Sequence, residues 1–391
     1  MKKIKNENGE GSITYQFRNG RKYYTGRYTI GYDQNGNQIR KSYSSYNKAD
    51  VQRAIKEKTM LVEQGLISTK GEVLFSDYYR DWLYIFVKPT VGKATFQKYE
   101  ADYRLRILGS PLEDIALSKV SPLTIRKTLN YWTDTNSEAL TSQVFGRLKA
   151  CIKAAITQKY IATDPTIGIE LKRTKVKKEK YKHYSLEQQE LFMDDLSLGD
   201  YTPKDMLIYI YFASGIRMSE GIGLSWTDYR NGGLDINKQY SKYTEIDKDG
   251  NRSVKQGLNE LKTPASYRFV PLPENAQKKL DRYRRLQNAY IENCTDYKNT
   301  GVMFPNSLGG HLDRKIIQSR VNDICKKNDI HGLSVHAIRH TYATRLFESG
   351  VPPKVVQTLL GHKSIKTTLD IYTHVVDQKA SREVEKLNGL F

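Results

Sequence analysis

Between Leu171 and His183 the chain reads LKRTKVKKEKYKH, dense in lysine and almost without apolar periodicity. A stretch of this kind has no face to bury, so it can only be a seam. It cuts the 391 residues into pieces that each have to close a core of their own, as a length of this order requires. The reading is therefore a basic linker over residues 172–182 with folded, differently patterned sequence on either side.

Upstream, SITYQFR, RKYYTGRYTIGYD and QIRKSYSSY are rich in β-branched and aromatic residues and are separated by turn signals at Asn19-Gly20 and Asn35-Gly36. They predict a three-stranded antiparallel sheet. On its middle strand Tyr24, Tyr28, Ile30 and Tyr32 share one face, while Tyr23, Thr25, Arg27 and Thr29 share the other. Asn47 reads as the N-cap of a helix that ends at Gly65 and packs on one sheet face, leaving the other free. This first domain is placed at residues 1–68, and a second, all-α domain at residues 72–171, where four segments carry apolar residues at three- and four-residue spacing. After the linker, residues 183–391 are mainly helical, interrupted by a polar, β-prone stretch from Leu234 to Leu272 that predicts a small sheet or hairpin. The fold class is thus multidomain and mainly α with small β elements.

Charge narrows the partners. Lys plus Arg number 63 against 43 Asp plus Glu, a net charge of +20, which points to a polyanion: nucleic acid or an anionic membrane. The opening MKKIKNENGEGS has no apolar stretch behind it to form a signal peptide, and no run of eighteen apolar residues occurs, so the expectation is a soluble, intracellular protein. Cys151, Cys294 and Cys325 are odd in number and far apart, matching neither a disulfide framework nor a metal knuckle.

Chemistry-bearing residues concentrate downstream of the seam. In SVHAIRHTYATRLFESG, an N-cap serine, Ser334, opens a helical pattern closed by Gly350, and His336 and Arg339 lie on one face. Taken alone, this is equally a solvated basic face. His336 and His340 also have the spacing of zinc ligands on a helix, but Ala337 stands where a zinc hydrolase needs its glutamate, and no carboxylate or cysteine set completes the ligands. In ASGIRMSEGIGLSW an apolar helix breaks at Gly215 and presents Arg217 with Glu220 three residues on, alone an ordinary ion pair. In LKTPASYRFVPL Lys262 leads into a hairpin-like element, alone an ordinary exposed lysine, and in GHKSIKTTLDIYTHV His362 precedes Tyr372 by ten residues.

Together these pieces resemble one family. The ordered series Arg217, Lys262, His336-x-x-Arg339, His362, Tyr372 is similar to the catalytic signature of the tyrosine recombinases, the phage and conjugative-transposon integrases, and SGIRMSE, LKTPxSxRxVPL, HAIRHTYAT, LLGH and IYTH resemble that family's boxes in order. The resemblance is specific for Leu207 to Val375 and only architectural upstream. It implies a site-specific recombinase that cuts and rejoins DNA through a 3′-phosphotyrosine without metal, ATP or other cofactor, for integration and excision of a mobile element or prophage. Under it, Tyr372 is the nucleophile, His336 helps position or deprotonate it, His362 hydrogen-bonds the phosphate and Lys262 protonates the leaving 5′ oxygen. Glu220 orients Arg217 or its helix rather than taking a proton, and His340 and His374 are read as structural. Residues 1–68 become an arm-type DNA-binding domain, 72–171 a core-site-binding domain and 183–391 an α+β catalytic domain whose tail docks on a neighbouring protomer. The implied partners are double-stranded DNA at core and arm sites and further copies of the chain in dimers and tetramers, with a place for an accessory directionality factor and none for a membrane; the implied location is the bacterial cytoplasm, in association with the nucleoid.

The residue types also suit phosphodiester exchange on chemical grounds. Two arginines can clamp a phosphate in a planar, bidentate manner that lysine cannot reproduce. A tyrosine free in water is about one part in a thousand phenolate at neutral pH, so its surroundings must activate it. For DNA grip, the sheet offers Arg18, Arg21, Lys22, Tyr23, Arg27, Arg40 and Lys41, and the linker Lys175, Lys177 and Lys178; the plain alternative for all of them is a solvated face. Three readings compete: a tyrosine recombinase, a metal-dependent nuclease needing carboxylates that are not apparent, and a non-catalytic DNA binder. A type IB topoisomerase shares much of the site but fits the two upstream domains less well.

Overall fold

A computed structural model describes residues 12–32, 38–63, 73–171, 182–247 and 249–385. The chain divides into two compact units, Met1–Lys175 with Tyr243–Val254, and Val176–Lys242 with Lys255–Phe391.

The first unit opens with β1 (Ser12–Arg18), β2 (Arg21–Tyr32) and β3 (Gln38–Ser45), an antiparallel sheet in the order β1-β2-β3, followed by helix α1 (Lys48–Glu63). Asn19 and Gly20 both take positive φ, 48° and 72°, the conformation that a two-residue hairpin turn demands. The register pairs Ile13 with Gly26 and Gly26 with Tyr43. Gly26 has no side chain because α1 sits over it: a Cβ there would lie 2.7 Å from Ile55 and 2.8 Å from Val51. By the two-residue period, Tyr24, Tyr28 and Ile30 face the helix with Gly26, and Tyr23, Thr25, Arg27 and Thr29 face away.

Its helical part comprises α2 (Phe75–Asp81), α3 (Lys93–Asp102), α4 (Pro122–Thr135) and α5 (Glu138–Thr157), with α2 and α3 each running on into a π-helical turn, Trp82–Val87 and Tyr103–Ile107. Ser121 and Ser137 cap α4 and α5 by accepting from the amides of Thr124 and Leu140. The core gathers Tyr79, Trp82, Leu83, Ile107, Leu129, Trp132, Leu148 and Ile152, and it includes Ile246 from a segment far along the chain. That segment is tied to α3 by paired hydrogen bonds between Gln97 and Thr244, by a Lys93–Glu245 salt bridge of 2.9 Å and by an Arg252–Glu100 ion pair.

The second unit holds α6 (Leu186–Asp194), α7 (Pro203–Ser214), α8 (Met218–Ile222), the strands β4 (Tyr229–Arg230) and β5 (Gly233–Ile236), then β6 (Gln239–Ile246) and β7 (Arg252–Asn259), whose far ends belong to the first unit, and β8 (Arg268–Pro271). It continues with α9 (Glu274–Glu292), α10 (Arg314–Lys327), α11 (Val335–Glu348), α12 (Pro353–Leu360) and α13 (Ile365–Glu385). The β-prone stretch is therefore both structures foreseen: a β4-β5-β8 sheet and a β6-β7 ribbon. Helix α7 is central, with Leu207, Ile208, Ile210 and Tyr211 fully or almost fully buried. A smaller cluster of Ala343, Phe347, Val356, Leu360, Ile371 and Val375 locks α11, α12 and α13 together. Ser334 stands at the N-cap of α11, but its side chain makes no capping hydrogen bond. Cys151 and Cys325 are buried and Cys294 is half-buried, all three as free thiols. Among the described residues no helix is long and apolar enough to cross a membrane.

Candidate active site

The site is built where three helix ends meet in the second unit. Helix α7 ends at Gly215, whose φ of +62° lets the chain reverse; a Cβ there would stand 2.3 Å from the Tyr342 ring. The turn delivers Arg217 in extended conformation at the start of α8. Helix α12 ends in the same way at Gly361, with φ of +65°, and its last carbonyls point at two guanidinium groups. Arg339 donates through Nη2 to the Leu360 carbonyl at 2.5 Å and through Nη1 to the Gly215 carbonyl at 2.8 Å. Arg217 donates through Nη2 to the Gly361 carbonyl at 2.9 Å. Adjacent carbonyls thus hold two cations side by side, with Arg339 only 5% exposed and the Arg217 side chain 36% exposed.

Glu220 makes this crowding of positive charge tolerable. It is 1% exposed and accepts from Arg217 twice, from the amide at 2.8 Å and from Nη1 at 2.6 Å, and from Arg268 Nη2 at 2.9 Å. Burial by itself would raise its carboxyl; the hydrogen bonds and charges of Arg268 and Arg217 outweigh that and hold its pKa below the usual carboxylate value. Burial, then the neighbouring Arg217, pushes the Arg339 guanidinium down to about 9, which still leaves it charged at neutral pH.

The histidines respond in the same field. Burial and then the charges of Arg339 and Arg217 lower His362 to about 3, and the same causes lower His336. Burial and His336 lower His340 to about 4. All three are neutral imidazoles at pH 7, able to accept or donate a hydrogen bond without adding to the charge. His362 Nδ1 lies 2.9 Å from the Thr368 hydroxyl, on α13 one helical turn before Tyr372. The rings of His336 and His340 meet edge to face at 4.7 Å, and among the described residues no group of three or more His, Cys, Asp or Glu is gathered to hold a metal ion. Tyr372 packs its ring edge against Phe347, centroids 5.2 Å apart, and remains 37% exposed. Lys262 is exposed on the loop between β7 and β8.

The DNA-grip residues named from sequence are divided by the fold. Cross-strand pairs put Arg18 opposite Arg21 and Arg40 opposite Thr29, so Arg18, Arg21, Arg27 and Arg40 share the face that α1 leaves open, with Arg18 resting 4.8 Å from the centre of the Tyr23 ring. Lys22 pairs with Phe17 and Lys41 with Tyr28, which puts both on the helix-bearing face; Lys22 lies over Tyr15. The pleat thus distributes these basic residues over both faces of the sheet. Lys175, Lys177 and Lys178 lie outside the described residues, as do the side chain of His374 and the end of the tail.

A model of the phage integrase family matches residues 186–379. A tyrosine recombinase XerC-like protein of Caldanaerobacter subterraneus subsp. tengcongensis is 31% identical over 97% of this chain and 99% of its own. The chain belongs to the tyrosine recombinases. Among solved structures, the Tn1549 transposon integrase in complex with transposon right-end DNA superposes with a TM-score of 0.64 at 22% identity, over 81% of this chain and 100% of that one. A lambda integrase dimer bound to a core site does so with a TM-score of 0.56 at 15% identity, over 92% of this chain and 94% of that one. As a tyrosine recombinase, the protein is an enzyme of site-specific DNA recombination that acts through a covalent phosphotyrosine.

In this recombinase two contributors escaped the sequence reading. Thr368, fully buried on α13, sets one ring nitrogen of His362. Arg268, although printed inside the LKTPASYRFVPL box, carried no role; its signal was an arginine two residues before Val270 on one strand, hence on the same inward face as a fully buried valine.

Proposed function

We propose that this recombinase integrates and excises a mobile genetic element, with Arg217, Arg339, His336, His362 and Lys262 acting on a phosphodiester that Tyr372 attacks. The observation that carries the reading is the pair of guanidinium groups anchored on the adjacent Leu360 and Gly361 carbonyls. Fixed cations with a half-open approach are what a pentavalent phosphorane, gaining charge on its nonbridging oxygens, requires, and they cost no reorganisation when it forms. The neutral state of the histidines follows from burial first and from those same charges second, and an arriving phosphate offsets the charge repulsion.

In the proposed cycle His336 takes the phenolic proton as Tyr372 Oη bonds to phosphorus. The bond from phosphorus to the 5′ oxygen breaks, and Lys262 protonates that oxygen. The 3′-phosphotyrosine keeps the energy of the broken ester, so a 5′-hydroxyl from another strand reverses the step without ATP. His362, held by Thr368, hydrogen-bonds a nonbridging oxygen. The open sheet face grips arm DNA through Arg18, Arg21, Arg27 and Arg40, residues 72–171 bind core DNA, and assembly proceeds through dimers to tetramers in the bacterial cytoplasm. That the Tn1549 and lambda integrases of the same fold were captured on DNA, the latter also as a tetramer on a Holliday junction, supports this part.

The test uses a duplex nicked beside the crossover, so that cleavage releases a short fragment and traps the covalent enzyme. In EDTA, wild type is expected to give a slow band on a denaturing gel and Tyr372→Phe none. Loss of the wild-type band in chelator, or a band of equal strength from the variant, rules the mechanism out.

A further inference from the structure

We infer that Arg268 is a positioning residue that registers the Lys262 loop against the two phosphate-binding arginines. The inference rests on the proposed role of Lys262 as proton donor. Lys262 is exposed and stands six residues before Arg268, on a loop whose short helical turn is Pro264–Ser266. Something has to fix where that loop ends. The Arg268 side chain is 3% exposed and spends its N–H groups on three separate segments. Nε donates to the Leu359 carbonyl at 2.7 Å, at the end of α12. Nη1 donates to the Ser266 carbonyl at 2.9 Å, inside the Lys262 loop itself. Nη2 donates to Glu220 Oε2 at 2.9 Å, and the other oxygen of that carboxylate holds Arg217.

One planar group therefore ties the lysine loop to the Arg217 helix and to the end of α12, whose next two carbonyls hold Arg339 and Arg217. The approach is tight: a Cβ on Gly361 would come within 3.0 Å of the Ala265 carbonyl and 3.1 Å of the Arg268 side chain. Lysine has a single nitrogen and cannot span three diverging acceptors. Misplacement of a reacting group by about 1 Å costs on the order of a hundredfold in rate.

The experiment compares wild type, Arg268→Lys and Lys262→Ala, as full-length chains, on two nicked duplexes. One carries the ordinary 5′ oxygen at the scissile bond, the other a bridging sulfur. With sulfur, attack by Tyr372 forms the same oxygen–phosphorus bond while the phosphorus–sulfur bond breaks to a thiolate, which leaves without a proton. On the oxygen substrate R268K is expected to cleave about a hundredfold more slowly than wild type, and on the sulfur substrate to come within about threefold of it. K262A is expected to show the same restoration. Restored K262A with R268K still equally slow on both substrates overturns the positioning role alone and leaves Arg268 as part of the general fold. K262A slow on both overturns the proton-donor reading, and this inference with it. If R268K lacks the wild-type melting transition, Arg268→Gln, which keeps an amide donor for Glu220 and loses those to the two carbonyls, carries the same comparison.

Discussion

Arginine does opposite work in the sheet of the first unit and at the helix ends of the second. On the sheet, Arg18, Arg21, Arg27 and Arg40 are exposed on an open face and sit in water. At the helix ends, Arg339 and Arg268 are almost entirely buried and their N–H groups are committed to carbonyls and to Glu220. A hydrated, screened charge attracts a polyanion of any sequence and loses its hold as salt rises. A desolvated charge on fixed acceptors is poor at capture and strong at stabilising charge that develops in one place. In the proposed function the same side chain is thus divided between grip and chemistry by its burial.

The widest split between the regions is expected from Arg339→Lys. Cleavage of the nicked duplex should fall by a factor of about 10² to 10³, while binding measured by gel shift changes only a few fold; equal losses in both would erase the distinction. The variant also leaves the Gly215 or Leu360 carbonyl without its donor, at about 1–3 kcal/mol each, so a lowered melting temperature should accompany it. The converse variant, Arg27→Ala with Arg40→Ala, should leave cleavage of a pre-bound core substrate unchanged. It should weaken arm-DNA binding and reduce the slope of log K against log salt by about one for each arginine. Lys22→Ala with Lys41→Ala, on the helix-bearing face, should change that slope less; an equal change would mean that DNA does not meet the open face.

The smallest effect separates the regions by pH. His362 and His340 titrate in the folded protein at about 3 and about 4, below the value of 6.5 for an unperturbed imidazole. Between those limits the unfolded chain binds the protons first, so the stability that neutral His362 contributes is complete above about pH 6.5 and is lost as pH falls. His362→Gln should flatten the acid limb of stability against pH by up to one proton between pH 6.5 and 4, with no such change from substitutions on the sheet. An unaltered limb would mean that His362 is not depressed in the folded state.

Much of this was legible in the chain. The period-two alternation in RKYYTGRYTI assigned the two faces of β2, because a pleated strand allows no other distribution. The series proposed as catalytic was legible as a pattern because its members sit in short local boxes, some of them beside a recognisable helix end such as Gly215 or Gly361. Three features were not. Tyr243–Val254 clusters with the first unit although it lies beyond the linker in sequence, since burial of Ile246 in the helical core depends on which surfaces meet in space. The division of Lys41 from the sheet arginines needed the cross-strand register. The role of Arg268 depends on carbonyls of Ser266 and Leu359, and a backbone acceptor has no signature in a sequence of side chains.

The sequence by itself therefore determined the element types, the seam, the excess of positive charge and the order of the chemical groups, all of which are local in periodicity or additive in charge. Tertiary structure alone decided which of those positive charges are dry. Arg217, Arg268 and Arg339 are distant in the chain and acquire their electrostatic character from burial, from one another, from Glu220 and from the carbonyls that end α12. Burial is a property of what surrounds a residue, and in the proposed function it is burial that separates a guanidinium that holds DNA from one that acts on the reacting phosphate.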